Sequence, residues 1–425
     1  MTHTEYPALA ESVYRKTLKN GLPVMVVPRP GFTRKLAYFI TNFGGLHTRF
    51  SIDGQSYQVP DGIAHYLEHK LFDMPDGEVS EKFAALGANV NAFTGYDMTA
   101  YYFSCTDNFA ENLKLLLSFV TTPYFTEASV EKERGIINQE IGMCEDNPDN
   151  KSFELLMTAM YAKHPVRRTI LGKREDIAQI TPENLTLTHR AFYRPDNMLL
   201  CVVGDVDPDT VCTLAESIVP DAPREQVIAT RKWQEEMTCP QALIEDQAEV
   251  AMTMFQLAFK CEPEDQGKAA IRQELIGDLA AEALFGESSS LYLQMYEQGL
   301  IDNSFGGGYE TVDGMAMLIM SGDSEQPEKI KEAILQQAAQ IVEKGLDPRD
   351  FLRMKRSAMG RRVRDLDSMD STCFRLSACK LIDFDYFTFP GLYQEIQASD
   401  VVAFIKRVVK PERACMCLLH PKGEL

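Results

Sequence analysis

Asp61-Gly62-Ile63-Ala64-His65-Tyr66-Leu67-Glu68-His69-Lys70-Leu71-Phe72 is the stretch from which the rest of the chain can be read. Ile63, Tyr66, Leu67 and Leu71 recur at helical spacing, which predicts a helix over 62–72. On that helix His65, Glu68 and His69 stand at i, i+3 and i+4 and share one face. Two imidazoles one turn apart can bind the same Zn2+ through ring nitrogens at about 2 Å. A carboxylate beside them can take a proton from a water whose pKa such a metal lowers to about 7. The competing reading is a solvated, charged helix face. Against it, the three residues lie among Ile63, Ala64, Leu67, Leu71 and Phe72, more apolar neighbours than an exposed helix needs. The chain has only seven histidines, so the pattern rarely arises by chance.

His-x-x-Glu-His is the inverse of the common zincin order His-Glu-x-x-His. A catalytic zinc takes three protein ligands and keeps one open position, so a third donor must come from elsewhere. His47, His164 and His189 each stand alone in loop or helix context. Glu133 and Glu140, seven residues apart, share a face of a helix expected over 127–144. They are either inward carboxylates that a metal would neutralise or a pair of surface acids, and spacing alone does not separate the two.

Strands are expected near 22–27 and 37–41, and a strand pair over 88–104 turning at Gly95-Tyr96-Asp97. Helices follow near 108–120 and 127–144, the second closed by the breaker cluster Asn147-Pro148-Asp149-Asn150. More helices are expected near 152–163 and 182–193, then a hydrophobic strand, Met198 to Val203. At 425 residues two or more domains are the default. Pro220, Pro223 and Pro240 mark the boundary, giving domains 1–222 and 245–425 joined by a linker 223–244. Beyond it come a strand near 252–260, helices over 267–298, strands over 300–322 and helices at 326–343 and 347–365. Asn108 to Ile141 and Glu328 to Val363 both read helix, loop, long helix, and setting Val130 on Phe351 puts Arg361 opposite Glu140. The expected fold class is α+β: two similar α/β-sandwich domains, each an antiparallel-rich sheet covered by helices on one side.

With 62 acidic against 43 basic residues, the formal net charge is -19. That balance argues against nucleic acid or an anionic membrane as a partner, because phosphate contacts need a basic patch. No apolar run approaches the roughly 18 residues of a membrane span, and Met1 to Arg15 is polar. The ten cysteines include no Cys-x-x-Cys pair, and Cys415 and Cys417 alternate as buried thiols of a strand. A reducing, cytoplasmic location is expected.

His65-Tyr66-Leu67-Glu68-His69, the later pair Glu133 and Glu140, Gly87-Ala88-Asn89-Val90-Asn91-Ala92-Phe93-Thr94 and Tyr193-Arg194-Pro195-Asp196-Asn197-Met198 together resemble the pitrilysin/insulinase family of zinc peptidases. The length is similar to its shorter, two-domain branch of bacterial processing peptidases. The resemblance implies a zinc-dependent endopeptidase with Zn2+ held by His65, His69 and Glu140, Glu68 as general base and Glu133 supporting a ligand. It also implies that Asn91, Ala92, Phe93 and Thr94 form an edge strand that pairs with a peptide substrate. A one-shell member is expected to form a homodimer, or a heterodimer with a related subunit. Active relatives carry an Arg and, seven residues on, a Tyr in the second half. Here Tyr296 and Asp302 stand roughly there, one residue short, with Tyr309 as a substitute to be tested. A peptide-binding or scaffold subunit of weak activity is therefore the second expectation.

Overall fold

The computed structural model describes residues 1–230, 233–264 and 266–423, so positions 231 and 232 of the expected linker lie outside the described residues. The first half of the chain runs β1 (Thr2–Tyr6), β2 (Glu11–Thr17), β3 (Pro23–Pro28), β4 (Lys35–Thr41), α1 (Ile63–Leu71), β5 (Ala88–Thr94), β6 (Thr99–Cys105), α2 (Phe109–Thr121), α3 (Glu127–Glu145), α4 (Pro148–Met160), α5 (Pro182–Phe192) and β7 (Met198–Gly204). The second runs β8 (Leu243–Ala248), β9 (Met254–Cys261), α6 (Gly267–Phe285), β10 (Gly306–Val312), β11 (Met315–Asp323), α7 (Pro327–Lys344), α8 (Pro348–Asp365), α9 (Met369–Leu381), α10 (Ala398–Val408) and β12 (Ala414–Pro421).

Among these principal elements the order from β3 onward matches the order from β8 onward, and the sheets match as well. One is ordered β1-β2-β3-β7-β4-β6-β5 and the other β8-β12-β9-β11-β10. In each, the first shared pair is parallel (β3 with β7, β8 with β12) and the remaining three are antiparallel. Two sheets with the same order and the same pairing senses are the duplicated α/β architecture expected above. β7, Met-Leu-Leu-Cys-Val-Val-Gly, lies between β3 and β4 at the middle of its sheet, and every one of its residues is buried.

The compact units follow the chain less simply than a division into 1–222 and 245–425. One comprises Met1–Ile141, Thr169–Arg231 and Val363–Thr388; the other Gly142–Arg168, Lys232–Arg362 and Phe389–Leu425. The reason is a reciprocal exchange of equivalent helices. In the second unit α4 packs on β12, β8 and β9, and in the first unit α9 packs on β7 and β4. The central strands of each sheet are buried on both faces, and each sheet receives one helix from the other half of the chain.

β1 and β2 lie outside the strands expected from sequence. They are polar, Thr-His-Thr-Glu-Tyr and Glu-Ser-Val-Tyr-Arg-Lys-Thr, because they form the exposed edge of the sheet. The cluster at 147–150 starts a helix rather than merely ending one: Asn147 accepts from the backbone of Asp149 and Asn150, and Pro148 opens α4. No helix among the described residues is long and apolar enough to cross a membrane.

The core of the first unit contains a titratable group with a defined consequence. His189, buried on α5, stacks on Tyr193 and donates Nε2–H to the Val120 carbonyl at 2.9 Å. Burial pulls its pKa down from 6.5 to about 4, although the Val120 bond opposes this. Between those values the unfolded chain binds a proton that the folded one refuses, so stability present above pH 6.5 is lost as pH falls toward 4. The loss is on the order of 3 kcal/mol. Urea denaturation at pH 7.5 and 4.5 should show a drop larger by about that amount in the wild type than in His189→Gln. Equal drops in the two proteins would contradict the assignment.

Candidate metal centre

Gly62 starts α1 with φ 84°, a left-handed conformation that favours glycine. A Cβ there would meet the Leu171 carbonyl oxygen at 2.3 Å, so the helix entry is set by close backbone packing. Ile63, Tyr66, Leu67 and Leu71 are all buried in the core beneath it. Tyr66 carries the alignment further, its hydroxyl donating to the Val130 carbonyl on α3. Arg134 anchors the far side of α3 through bonds of 3.3 and 3.0 Å to the Ile177 and Ile180 carbonyls. These contacts fix α3 against α1 at the height of the histidines.

His65 Nε2 lies 3.5 Å from Glu140 Oε1, and His69 Nε2 lies 3.4 Å from Glu140 Oε2. Among the described residues this trio is the group of His, Cys, Asp or Glu placed to hold a metal, its donor atoms all within 4.8 Å of one another. A tetrahedral ion with bonds of about 2.0–2.1 Å needs ligand atoms about 3.3 Å apart. The two nitrogen–oxygen separations meet that requirement, so the donor set fits Zn2+ and leaves a fourth position for water or substrate. His69 Nδ1 bonds Glu133 Oε1 at 2.9 Å, which orients the ring with Nε2 toward Glu140. His65 Nδ1 is buried and meets no hydrogen-bond partner among the described residues.

Glu68 sits beside the pair, 9% exposed, and Thr94 donates its hydroxyl to Glu68 Oε2 at 2.5 Å. Burial raises the Glu68 pKa, with Glu140 adding to the rise and the Thr94 bond and both histidines opposing it. Glu140 is held below the usual carboxylate range chiefly by its contact with His65. Burial works to lower the His69 pKa, yet Glu133, Glu68 and Glu140 together outweigh it and the net shift is upward.

The strand holding Asn91, Ala92, Phe93 and Thr94 is β5, at the edge of the seven-stranded sheet and paired with β6. The Ala92 N–H donates to Asn91 Oδ1 at 2.8 Å. Nothing in the local sequence indicated that Thr94 would bond Glu68, since the two meet only when β5 closes over α1. The remaining histidines serve the fold: His47 Nδ1 accepts from Gly44 N–H at 2.9 Å, and His164 Nδ1 accepts from Val166 N–H at 3.1 Å.

Tyr309 is engaged inside its own unit. It is 8% exposed, its ring lies over Gly277, and its hydroxyl accepts from Gln273 Nε2 at 2.9 Å. Tyr296 is half exposed, and Asp302 caps Ser304. In the second unit the helices equivalent to α1 and α3 are α6 and α8, and neither contains a histidine. Arg361 pairs with Glu282 at the surface, while Arg362 turns inward, its Nη2 2.6 Å from Glu274 and 2.8 Å from Asp278. The inward cation of α8 is thus held between two carboxylates of α6.

Two α/β units, one with a His-x-x-Glu-His helix facing a carboxylate helix and the other without, define a metallopeptidase class. Residues 54–174 match the domain described as Insulinase (Peptidase family M16), and residues 179–358 the Peptidase M16 inactive domain. The chain is 35% identical over 431 residues to the uncharacterized zinc protease YmfH of Bacillus subtilis, covering 99% of both. The structure of an M16-like peptidase from Alicyclobacillus acidocaldarius superimposes with a TM-score of 0.91 at 31% identity, covering 97% of this chain and 99% of that one. A protein of Schizosaccharomyces pombe named "Probable mitochondrial-processing peptidase subunit beta" is 29% identical over 205 residues, 47% of this chain and 43% of that protein. The chain belongs to peptidase family M16, the insulinase family.

Proposed function

We propose that this chain is a zinc-dependent endopeptidase acting on peptides or small unfolded polypeptides. The observation that carries the reading is the convergence of His65, His69 and Glu140 from two helices, with Glu68 alongside. In this reading His65, His69 and Glu140 hold the ion and Glu133 steadies His69. Bound there, zinc would supply Lewis-acid polarisation of the scissile carbonyl and of the attacking water. Thr94 fixes Glu68 Oε2, leaving Oε1 to accept the water's proton. Glu68 then returns that proton to the leaving amine. β5, the last strand of its sheet among the described residues, holds the substrate as an added strand largely independently of side-chain sequence. A homodimer, or a heterodimer with a related subunit, would complete the substrate grip, and a cytoplasmic site of action fits the free cysteines.

A second reading, a weakly active or inactive peptide-binding subunit, is favoured by one observation. Tyr309 lies in the interior of its unit, 8% exposed with its ring over Gly277. A missing donor to the developing oxyanion costs about a hundredfold or more in rate. Incubation with quenched fluorescent peptides separates the readings. The peptidase is expected to cut at internal bonds identified by mass spectrometry, and binding without any cut would favour the second reading.

A further inference from the structure

A cavity of about 290 Å3 lies in the second unit, between α6 and α10. α6 lines it with Ala269, Arg272, Gln273 and Ile276, and α10 with Asp400, Ala403, Phe404 and Arg407. Both sets fall at i, i+3, i+4 and i+7, so each helix presents one face to the space between them. Ala269 and Ala403 leave that space open, because neither side chain reaches across it. Ile276 and Phe404 are buried and form an apolar floor. Glu264, which is exposed, completes the lining.

The lining carries both signs of charge. Arg272 Nη2 lies 2.8 Å from Asp400 Oδ2, which also accepts from the Gln397 N–H at 2.8 Å. Asp400 Oδ1 and the Glu264 carboxylate are the acceptors offered to a bound cation. Arg407 is their counterpart. Its Nε lies 3.4 Å from Glu262 Oε2, while Arg413 Nη2 lies 2.6 Å from Glu262 Oε1. Two guanidiniums thus share one carboxylate, and Arg407 is the more exposed of the two. Arg407 Nη2 donates to Gln273 Oε1 at 3.2 Å, and the guanidinium lies 5.7 Å from the centre of the Phe404 ring. The buried Gln273 amide therefore holds a cation with further N–H donors beside the apolar floor.

A ligand that matches this lining has a carboxylate, an ammonium group and an apolar side chain. The volume stands at the small end of ligand cavities, which span about 300–1,000 Å3, so the space takes one or two residues and not a folded partner. We propose that the groove between α6 and α10 binds free dipeptides as zwitterions. The carboxylate sits on Arg407, the ammonium group between Glu264 and Asp400, and an apolar side chain on Ile276 and Phe404. Peptide hydrolysis releases molecules of this class. The groove nevertheless lies in the unit that lacks His65 and His69, and its occupancy does not depend on the peptidase reading.

Calorimetric titration of the full chain carrying His65→Ala, which disables the zinc centre, tests this with the dipeptide Ala-Phe. One equivalent should bind per chain. N-acetyl-Ala-Phe and Ala-Phe amide, each missing one charge, should bind at least about tenfold more weakly. Gly-Gly should lose a similar factor, since it brings nothing to the floor. Adding Arg407→Gln should weaken Ala-Phe at least about tenfold. Adding Ala403→Phe should abolish binding by filling the groove while every charge stays in place. Absence of binding, equal affinity for the blocked peptides, or undiminished affinity in both groove variants would overturn the proposal. If the groove binds Ala-Phe as described while wild-type protein cuts no peptide, the peptidase reading fails and the groove stands.

Discussion

Glu68→Gln is expected to lower kcat for peptide hydrolysis by on the order of a thousandfold while zinc content stays at the wild-type level. The substitution keeps the shape of the side chain and removes its ability to accept a proton. Thr94 can still donate to the amide oxygen at the position where it now meets Oε2. None of the three donor atoms that face one another belongs to Glu68. Replacing a buried carboxylate by a neutral amide also relieves the cost of burying charge, so the melting temperature should not fall. Stopped-time assays with a quenched peptide, alongside metal analysis of the same sample, would check both halves. A residual rate within tenfold of wild type would remove Glu68 as the base.

The second large effect concerns metal affinity. Glu140→Ala takes away the carboxylate that lies 3.5 Å from His65 Nε2 and 3.4 Å from His69 Nε2. Two imidazoles remain, and binding should weaken by well over about a hundredfold. His65→Ala should do the same. Glu133 contacts His69 and would reach a bound ion only through it, so the cost of Glu133→Gln should be smaller, roughly ten- to a hundredfold. Competition against a zinc-chelating dye would rank the variants. If Glu133→Gln proved more damaging than Glu140→Ala, the roles of the two carboxylates on α3 would be exchanged.

Much of this site was legible before the fold was known, and the reason is local. A helix puts i, i+3 and i+4 on one face, so His65, Glu68 and His69 had to lie together once residues 63–71 were helical. Glu133 and Glu140 were harder. Their spacing is the same on a surface helix and on one facing a metal, and only the tertiary contacts of Tyr66 and Arg134 decide which face turns inward. Thr94 was read as part of a strand, but its bond to Glu68 joins elements that meet only on folding. The exchange of α4 and α9 left no local trace, because a helix has the same periodicity whichever sheet receives it. The packing of Tyr309 depends on Gly277, where a residue with a Cβ would meet the ring, and no local pattern signals that contact. The duplication was partly visible as a repeated helix–loop–helix pattern, and the matching strand orders complete it.

The central claim is that one zinc per chain, held by His65, His69 and Glu140, supports peptide hydrolysis. Its most direct test is to strip the full-length protein with a chelator and titrate zinc back while following cleavage of a quenched peptide. The rate should rise from near zero in proportion to added metal and level off at one equivalent per chain, with His65→Ala giving no rise over the same range. Undiminished cleavage by the metal-free protein, or an equal rise in His65→Ala, would contradict it.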